Sequence, residues 1–147
     1  DNKLKEYFQK KYFLPDIHTN LTEKLYRFAN TSIDLSDGLV ADLEKLINKQ
    51  KFSYKIYLDK IPVSKNLKKV LIKNKLNKSS FISRGDDYQI LFTASSSKSR
   101  IIDKTSKICG VKISKIGKIC SPLEKSQILN QKGKEISLKS IGYFHRF

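Results

Sequence analysis

The sequence predicts a layered α+β domain with a mixed sheet. Amphipathic stretches of helical period interrupt extended stretches at irregular intervals, unlike the regular alternation of a doubly wound fold. Two short extended runs late in the chain flank a Gly-containing turn, as the arms of a hairpin do. With 147 residues, 39% hydrophobic and 30% charged, and only 6 Gly and 3 Pro, the chain has the size and makeup of one folded domain.

From Asn2 to Phe13 the apolar residues Leu4, Tyr7, Phe8 and Tyr12 recur at helical spacing, and Pro15 stops the helix. A polar stretch, Asp16 to Thr22, carries turn-formers, and a short second helix is expected around Glu23 to Phe28. Thr31, Ser32 and Ile33 lead into the next helix, roughly Gly38 to Gln50, which carries Leu39, Leu43, Leu46 and Ile47 on one stripe. Tyr54, Ile56 and Leu58 alternate with Lys55, Tyr57 and Asp59 as in a half-buried strand that Pro62 ends. Lys65 to Lys75 is a further amphipathic helix. Asp87 to Thr93 is apolar on both faces, which predicts a central strand. A helix from about Lys98 to Ile108 and a strand from Lys112 to Ile119 follow. Gln127 to Asn130 and Glu135 to Leu138 then form the hairpin around Gln131-Lys132-Gly133-Lys134.

The net charge of +16 suits a polyanionic partner such as nucleic acid, an anionic membrane or a phosphorylated substrate. Nearly all of it is lysine, with arginine only at Arg27, Arg84, Arg100 and Arg146, whereas base and phosphate recognition favours the forked guanidinium. The lysines are also spread along the whole chain, so the charge argues weakly for nucleic acid. No apolar run approaches the roughly 18 to 20 residues that span a bilayer, and the start lacks a basic-then-apolar signal. The expected location is the cytoplasm. Cys109 and Cys120 are too far apart for a C-x-x-C pair and are expected to be reduced, structural thiols.

Three segments carry candidate chemistry. In Asp34-Leu35-Ser36-Asp37-Gly38-Leu39, two carboxylates three residues apart on a tight turn suit a hard divalent cation such as Mg²⁺. Gly38 permits close backbone approach, and the free N–H groups of the new helix favour anions. Equally, Ser36 or Asp37 could simply cap that helix. In Arg84-Gly85-Asp86-Asp87-Tyr88-Gln89, adjacent acids before a buried strand require solvent, a partner or a ligand; an ordinary turn accounts for them as well. The closing Gly142-Tyr143-Phe144-His145-Arg146-Phe147 gathers aromatics that stack on a heterocycle or dock on the core. No Ser or Cys nucleophile stands near His145, which argues against a catalytic imidazole.

In this order the segments resemble the C-terminal half of the thiamine-monophosphate kinase family, of the superfamily that includes aminoimidazole ribonucleotide synthetase. The resemblance rests on an Asp-x-Ser-Asp-Gly-Leu turn with a following Asp-Leu, here Asp34 to Leu39 with Asp42-Leu43, and on Ile61-Pro62. It rests further on Gly85 to Thr93 against the family's Gly-Glu-Asp-Tyr-Glu-Leu-Leu-Phe-Thr, on Ile116-Gly117-Lys118-Ile119, and on the closing Gly-aromatic-x-His at Gly142 to His145. Tyr12-Phe13-Leu14-Pro15 is similar to the start of that domain. The sequence departs from the pattern at Asp16, Asp86, Gln89, Phe144 and Arg146.

The resemblance implies an α/β/α layered domain like the C-terminal domain of aminoimidazole ribonucleotide synthetase, with residues 1–147 as one substrate-side domain. The implied reaction moves the ATP γ-phosphoryl group onto thiamine monophosphate, giving thiamine diphosphate, with Mg²⁺ as cofactor. Asp34 and Asp37 would hold Mg²⁺, Ser36 would touch ATP, and Asp86 and Tyr143 would contact thiamine monophosphate, with no catalytic residue beyond the metal ligands. The family's N-terminal ATP-binding domain is absent from this chain, so the chain is expected to be inactive alone and the full-length protein to be a homodimer. The alternatives are a sibling ATP-dependent enzyme with another substrate and a non-catalytic basic interaction domain.

Overall fold

The computed structural model describes residues 2–48, 51–85, 87–138 and 140. Helix α1 (Asn2–Phe13) buries no residue, and α2 (Thr19–Thr22) is a single turn followed by a 3-10 turn at Leu25–Arg27. The second helix therefore lies inside the polar stretch, and the expected span from Glu23 to Phe28 holds only the 3-10 turn. Its apolar residues explain this: Leu21, Leu25 and Phe28 are all buried, and residues four and three apart share one face of a helical path. They form a small core with Ile90, Phe92, Ile101 and Ile102 packed on it, and the Phe28 and Phe92 rings lie 5.3 Å apart at 58°.

Strand β1 (Ala29–Asp34) alternates half-buried and exposed along its length, so parity turns Ile33 inward and Asp34 out to solvent. Helix α3 (Leu39–Asn48) follows. Its stripe of Leu39, Val40, Leu43 and Ile47 joins Tyr54, Ile56 and Leu58 in the larger core. Tyr54 and Ile56 belong to β2 (Ser53–Tyr57), and Leu58 begins the 3-10 turn that ends the strand before Pro62. Helix α4 (Lys65–Lys73) is capped by Ser64, whose Oγ accepts from the Leu67 N–H at 3.0 Å.

Strand β3 (Ile90–Ala94) pairs antiparallel with β1, Asp34 opposite Ile90 and Ile33 opposite Leu91. The expected central strand from Asp87 is thus shorter and, among the described residues, has one neighbour. The backbone at Tyr88 has a φ of 49°, a left-handed conformation that breaks an extended path. Helix α5 (Ser99–Cys109) ends on Gly110 at a φ of 64°, as helices commonly do.

Strand β4 (Gly117–Cys120) is only the end of the expected Lys112–Ile119 strand. Val111 and Ile113 pack on the small core while Ile116 and Ile119 pack on the large one, so the segment crosses between cores before it can pair. The second sheet has the order β4-β2-β5, with β5 at Gln127–Leu129. β2 runs antiparallel to β4 and parallel to β5, which makes this sheet mixed, as expected. The late hairpin closes through an Asn130 N–H to Lys134 carbonyl bond of 2.9 Å, and its second arm is reduced to a bridge at Glu135. Mixed helices and strands in layers with a mixed sheet make this an α+β fold.

Candidate functional site

The turn between β1 and α3 carries the first candidate segment. Gly38 sits at a φ of 119°, and a Cβ there would meet the Ser83 carbonyl carbon at 3.0 Å; both facts require glycine. Gly85 is tighter still, because a Cβ would lie 2.0 Å from the Ser36 carbonyl oxygen. Around these two contacts the Leu39 N–H donates to the Ile82 carbonyl at 3.0 Å, the Tyr88 N–H to Leu35 at 3.0 Å, and the Leu35 N–H to Gln89 at 2.8 Å. The first two candidate segments, some fifty residues apart in sequence, are therefore bonded to one another through their backbones. Asp86, Tyr143 and the rest of the closing segment lie outside the described residues.

The turn's own amides converge on a residue from inside the helix. The N–H groups of Ser36, Asp37 and Gly38 all donate to Asp42 Oδ2, at 2.9, 3.0 and 3.2 Å. Asp42 is 0% exposed. Its second oxygen accepts from Lys45 Nζ at 2.9 Å, and the same ammonium also reaches the Asp37 carboxylate. Burial pushes the Asp42 carboxyl up, but Lys45 and the Ser36 and Asp37 N–H groups more than offset that and hold it below its ordinary value. Asp37 and Asp42 in turn raise the pKa of Lys45.

This corrects the expectation of free N–H groups at the start of α3, since those of residues 36–39 are bonded within the chain. It also bears on the capping alternative for Ser36. The Gly38 and Leu39 N–H groups, which such a cap would bind, go to Asp42 and Ile82. Sequence reasoning did not assign Asp42 and Lys45 a role. The available signal was an acid in the first turn of a helix with a lysine three residues on.

What the turn presents outward is oxygen. Asp34 and Ser36 are exposed and Asp37 is half-buried. This donor set suits a hard divalent cation held through one or two carboxylates; among the described residues no group of three or more His, Cys, Asp or Glu converges into a fuller cage. Beside the turn a cavity of about 1370 Å³, lined from both sheets, includes Leu35, Leu39, Arg84, Gly85, Asp87 and Gln89 in its wall. A smaller one brings Tyr12, Pro15 and Asp16 next to Asp87 and Gln89, so the end of α1 borders the second segment. No helix among the described residues is long and apolar enough to cross a membrane.

No family model matches the chain. It is 33% identical over 145 residues to the thiamine-monophosphate kinase of Buchnera aphidicola subsp. Acyrthosiphon pisum (strain APS), covering 97% of this chain and 43% of that protein. The thiamine-monophosphate kinase of Escherichia coli O157:H7 is 27% identical over 145 residues, covering 99% and 44%. Among solved structures, AaThiL complexed with AMPPCP and TMP shares the fold at a TM-score of 0.73 and 24% identity, covering 96% of this chain and 42% of that one. The chain spans less than half the length of these relatives. Over nearly its whole length the sequence matches the C-terminal part of thiamine-monophosphate kinases, and the fold is shared with AaThiL.

Proposed function

We propose that this chain is the substrate-side half of a kinase that transfers the γ-phosphoryl group of ATP to thiamine monophosphate, giving thiamine diphosphate. The observation that carries this reading is the backbone bonding of the 34–39 turn to the 82–89 segment, in a chain matched along 97% of its length by a kinase of that name. The AMPPCP and TMP bound by AaThiL supply the ligand classes. The rest of a longer chain contributes the ATP-binding domain, so residues 1–147 alone are inactive. The full-length protein is a cytoplasmic homodimer.

In this reading Asp34 and Asp37 hold Mg²⁺, Ser36 contacts ATP, and Asp86 and Tyr143 contact thiamine monophosphate. Bound Mg²⁺ supplies charge neutralisation between two polyanionic substrates. The chain itself orients and positions. Strand parity carries Asp34 outward from β1, Lys45 fixes the direction of the Asp37 carboxylate, and Gly85 lets the second segment lie directly against the turn. In-line transfer between bound phosphates requires positioning more than covalent participation by the protein.

The test is calorimetric titration of thiamine monophosphate, with and without Mg²⁺ and AMPPCP, into this chain recombined with the N-terminal half of a relative. Binding that is lost in Asp34→Asn and in Asp86→Ala is the expected result. A folded, recombined protein that binds no thiamine monophosphate overturns the substrate assignment and turns attention to a sibling substrate.

A further inference from the structure

We propose that Asp42 is a positioning residue that sets the class of ligand the β1–α3 turn accepts, by filling the turn's amide cradle with an internal carboxylate. Successive N–H groups aimed at one point form a concavity that binds anions, and at a ligand-binding helix N-terminus the occupant is a phosphate or carboxylate of the ligand. Here the three N–H groups of residues 36–38 reach a side chain of the same helix, at 2.9 to 3.2 Å. Because Asp42 is fully buried and its other oxygen is held by Lys45, the point on which the three N–H groups converge is already occupied by the chain's own carboxylate.

The consequence is a turn with a reversed polarity. Its donors point inward to Asp42, and the groups it shows outward are the oxygens of Asp34, Ser36 and, in part, Asp37. Such a surface attracts cations and repels a bare phosphate, so a phosphorylated ligand reaches it only with a cation between them. Truncating Asp42 would invert this. Three unbonded N–H groups would remain, with the Lys45 ammonium beside them and still paired to Asp37, and together they form the elements of a direct phosphate site. What the outward oxygens do in catalysis rests on the kinase reading; the cradle and its occupant do not.

The test uses amide NMR on this chain, wild type beside Asp42→Ala and Asp42→Asn, titrated with inorganic phosphate at constant ionic strength. In the wild type, the amides of Ser36, Asp37 and Gly38 are expected to exchange slowly and to ignore phosphate. In Asp42→Ala they exchange at least about tenfold faster and shift saturably with phosphate. In Asp42→Asn, where an amide oxygen still fills the cradle without charge, exchange quickens and phosphate has no effect. Should Asp42→Ala fail to fold, faster exchange in Asp42→Asn confined to residues 36–38, with α5 unchanged, sustains the proposal; uniform loosening overturns it. It is also overturned by wild-type amides that respond to phosphate as the alanine variant does. Faster exchange in a folded Asp42→Ala without a phosphate response likewise overturns it, since Asp42 would then be a structural cap alone. Failure of the recombined kinase to bind thiamine monophosphate would sink the functional reading and leave these outcomes intact.

Discussion

Replacing Gly85 by alanine adds one carbon where the fold leaves no room for it. That carbon would lie 2.0 Å from the Ser36 carbonyl oxygen, 3.0 Å from the Ser36 carbonyl carbon and 3.3 Å from the Asp37 Cα. All three neighbours are backbone, so no flexible side chain can swing aside. Since real Cβ contacts essentially never fall under 3.0 Å, the two segments must separate by about 1 Å, against overpacking costs of about 1 to 3 kcal/mol. A shift of that size strains the bonds that flank the contact, Leu35 N–H to Gln89 at 2.8 Å and Leu39 N–H to Ile82 at 3.0 Å, each contributing about 1 kcal/mol. Taking about 2 kcal/mol and roughly 3 °C per kcal/mol for a chain of this size, Gly85→Ala should melt about 6 °C below the wild type. Gly110→Ala is the control. Nothing lies within 4 Å of its added Cβ, and only its φ of 64° costs about 1 kcal/mol, or about 3 °C. Calorimetry supplies the melting temperatures and amide exchange at Leu35 and Leu39 locates the damage. A Gly85→Ala protein that melts within about 1 °C of the wild type, with those amides unchanged, would show that the two segments are not packed as described.

Acid should expose the contribution of Asp42. Its folded-state pKa lies below the ordinary value, so the stabilisation is present above about pH 4 and is lost as pH falls through the depressed folded value. Urea unfolding between about pH 2 and 5 should therefore show a shallower acid limb in Asp42→Asn than in the wild type, and parallel limbs would contradict the bonding described. Phe28, 2% exposed at the centre of the smaller core, should cost about 3 to 5 kcal/mol when replaced by alanine, read as a lower urea midpoint with an unchanged slope. Tyr54 donates its phenol proton to Glu44 Oε1 at 3.1 Å, and burial together with that carboxylate raises its pKa. It should remain un-ionised in an ultraviolet titration past pH 11 that ionises exposed tyrosines, and Tyr54→Phe should cost about 1 kcal/mol.

The helices were the most legible part of the fold. α1, α3, α4 and α5 lie within a residue or two of their predicted spans, because the apolar stripe and the Pro15 stop are local signals. The strands were less so. β3 and β4 begin later than their apolar runs suggest, since a strand starts only where a partner's register meets it, and those partners are distant in sequence: β1 for β3, β2 for β4. The outward oxygens of the 34–37 turn were visible as a motif, whereas its N–H groups were misjudged because their acceptor is a helical side chain that the turn's own sequence does not contain.

The sequence by itself determined the class of fold, the positions of the helices, the acidic turn with its glycine, and the family to which the arrangement is similar. Each is written in the spacing of residues a few positions apart. Only the tertiary structure decided that the turn lies backbone to backbone against residues 82–85, 88 and 89, that the strand order is β4-β2-β5, and that Asp42 closes the amide cradle with Lys45 linking it to Asp37. The first two depend on contacts between distant segments, whose geometry is set by core packing and strand register rather than by any local pattern; the last depends on how the chain turns into α3, which brings the N–H groups of residues 36–38 back onto a side chain four to six residues on.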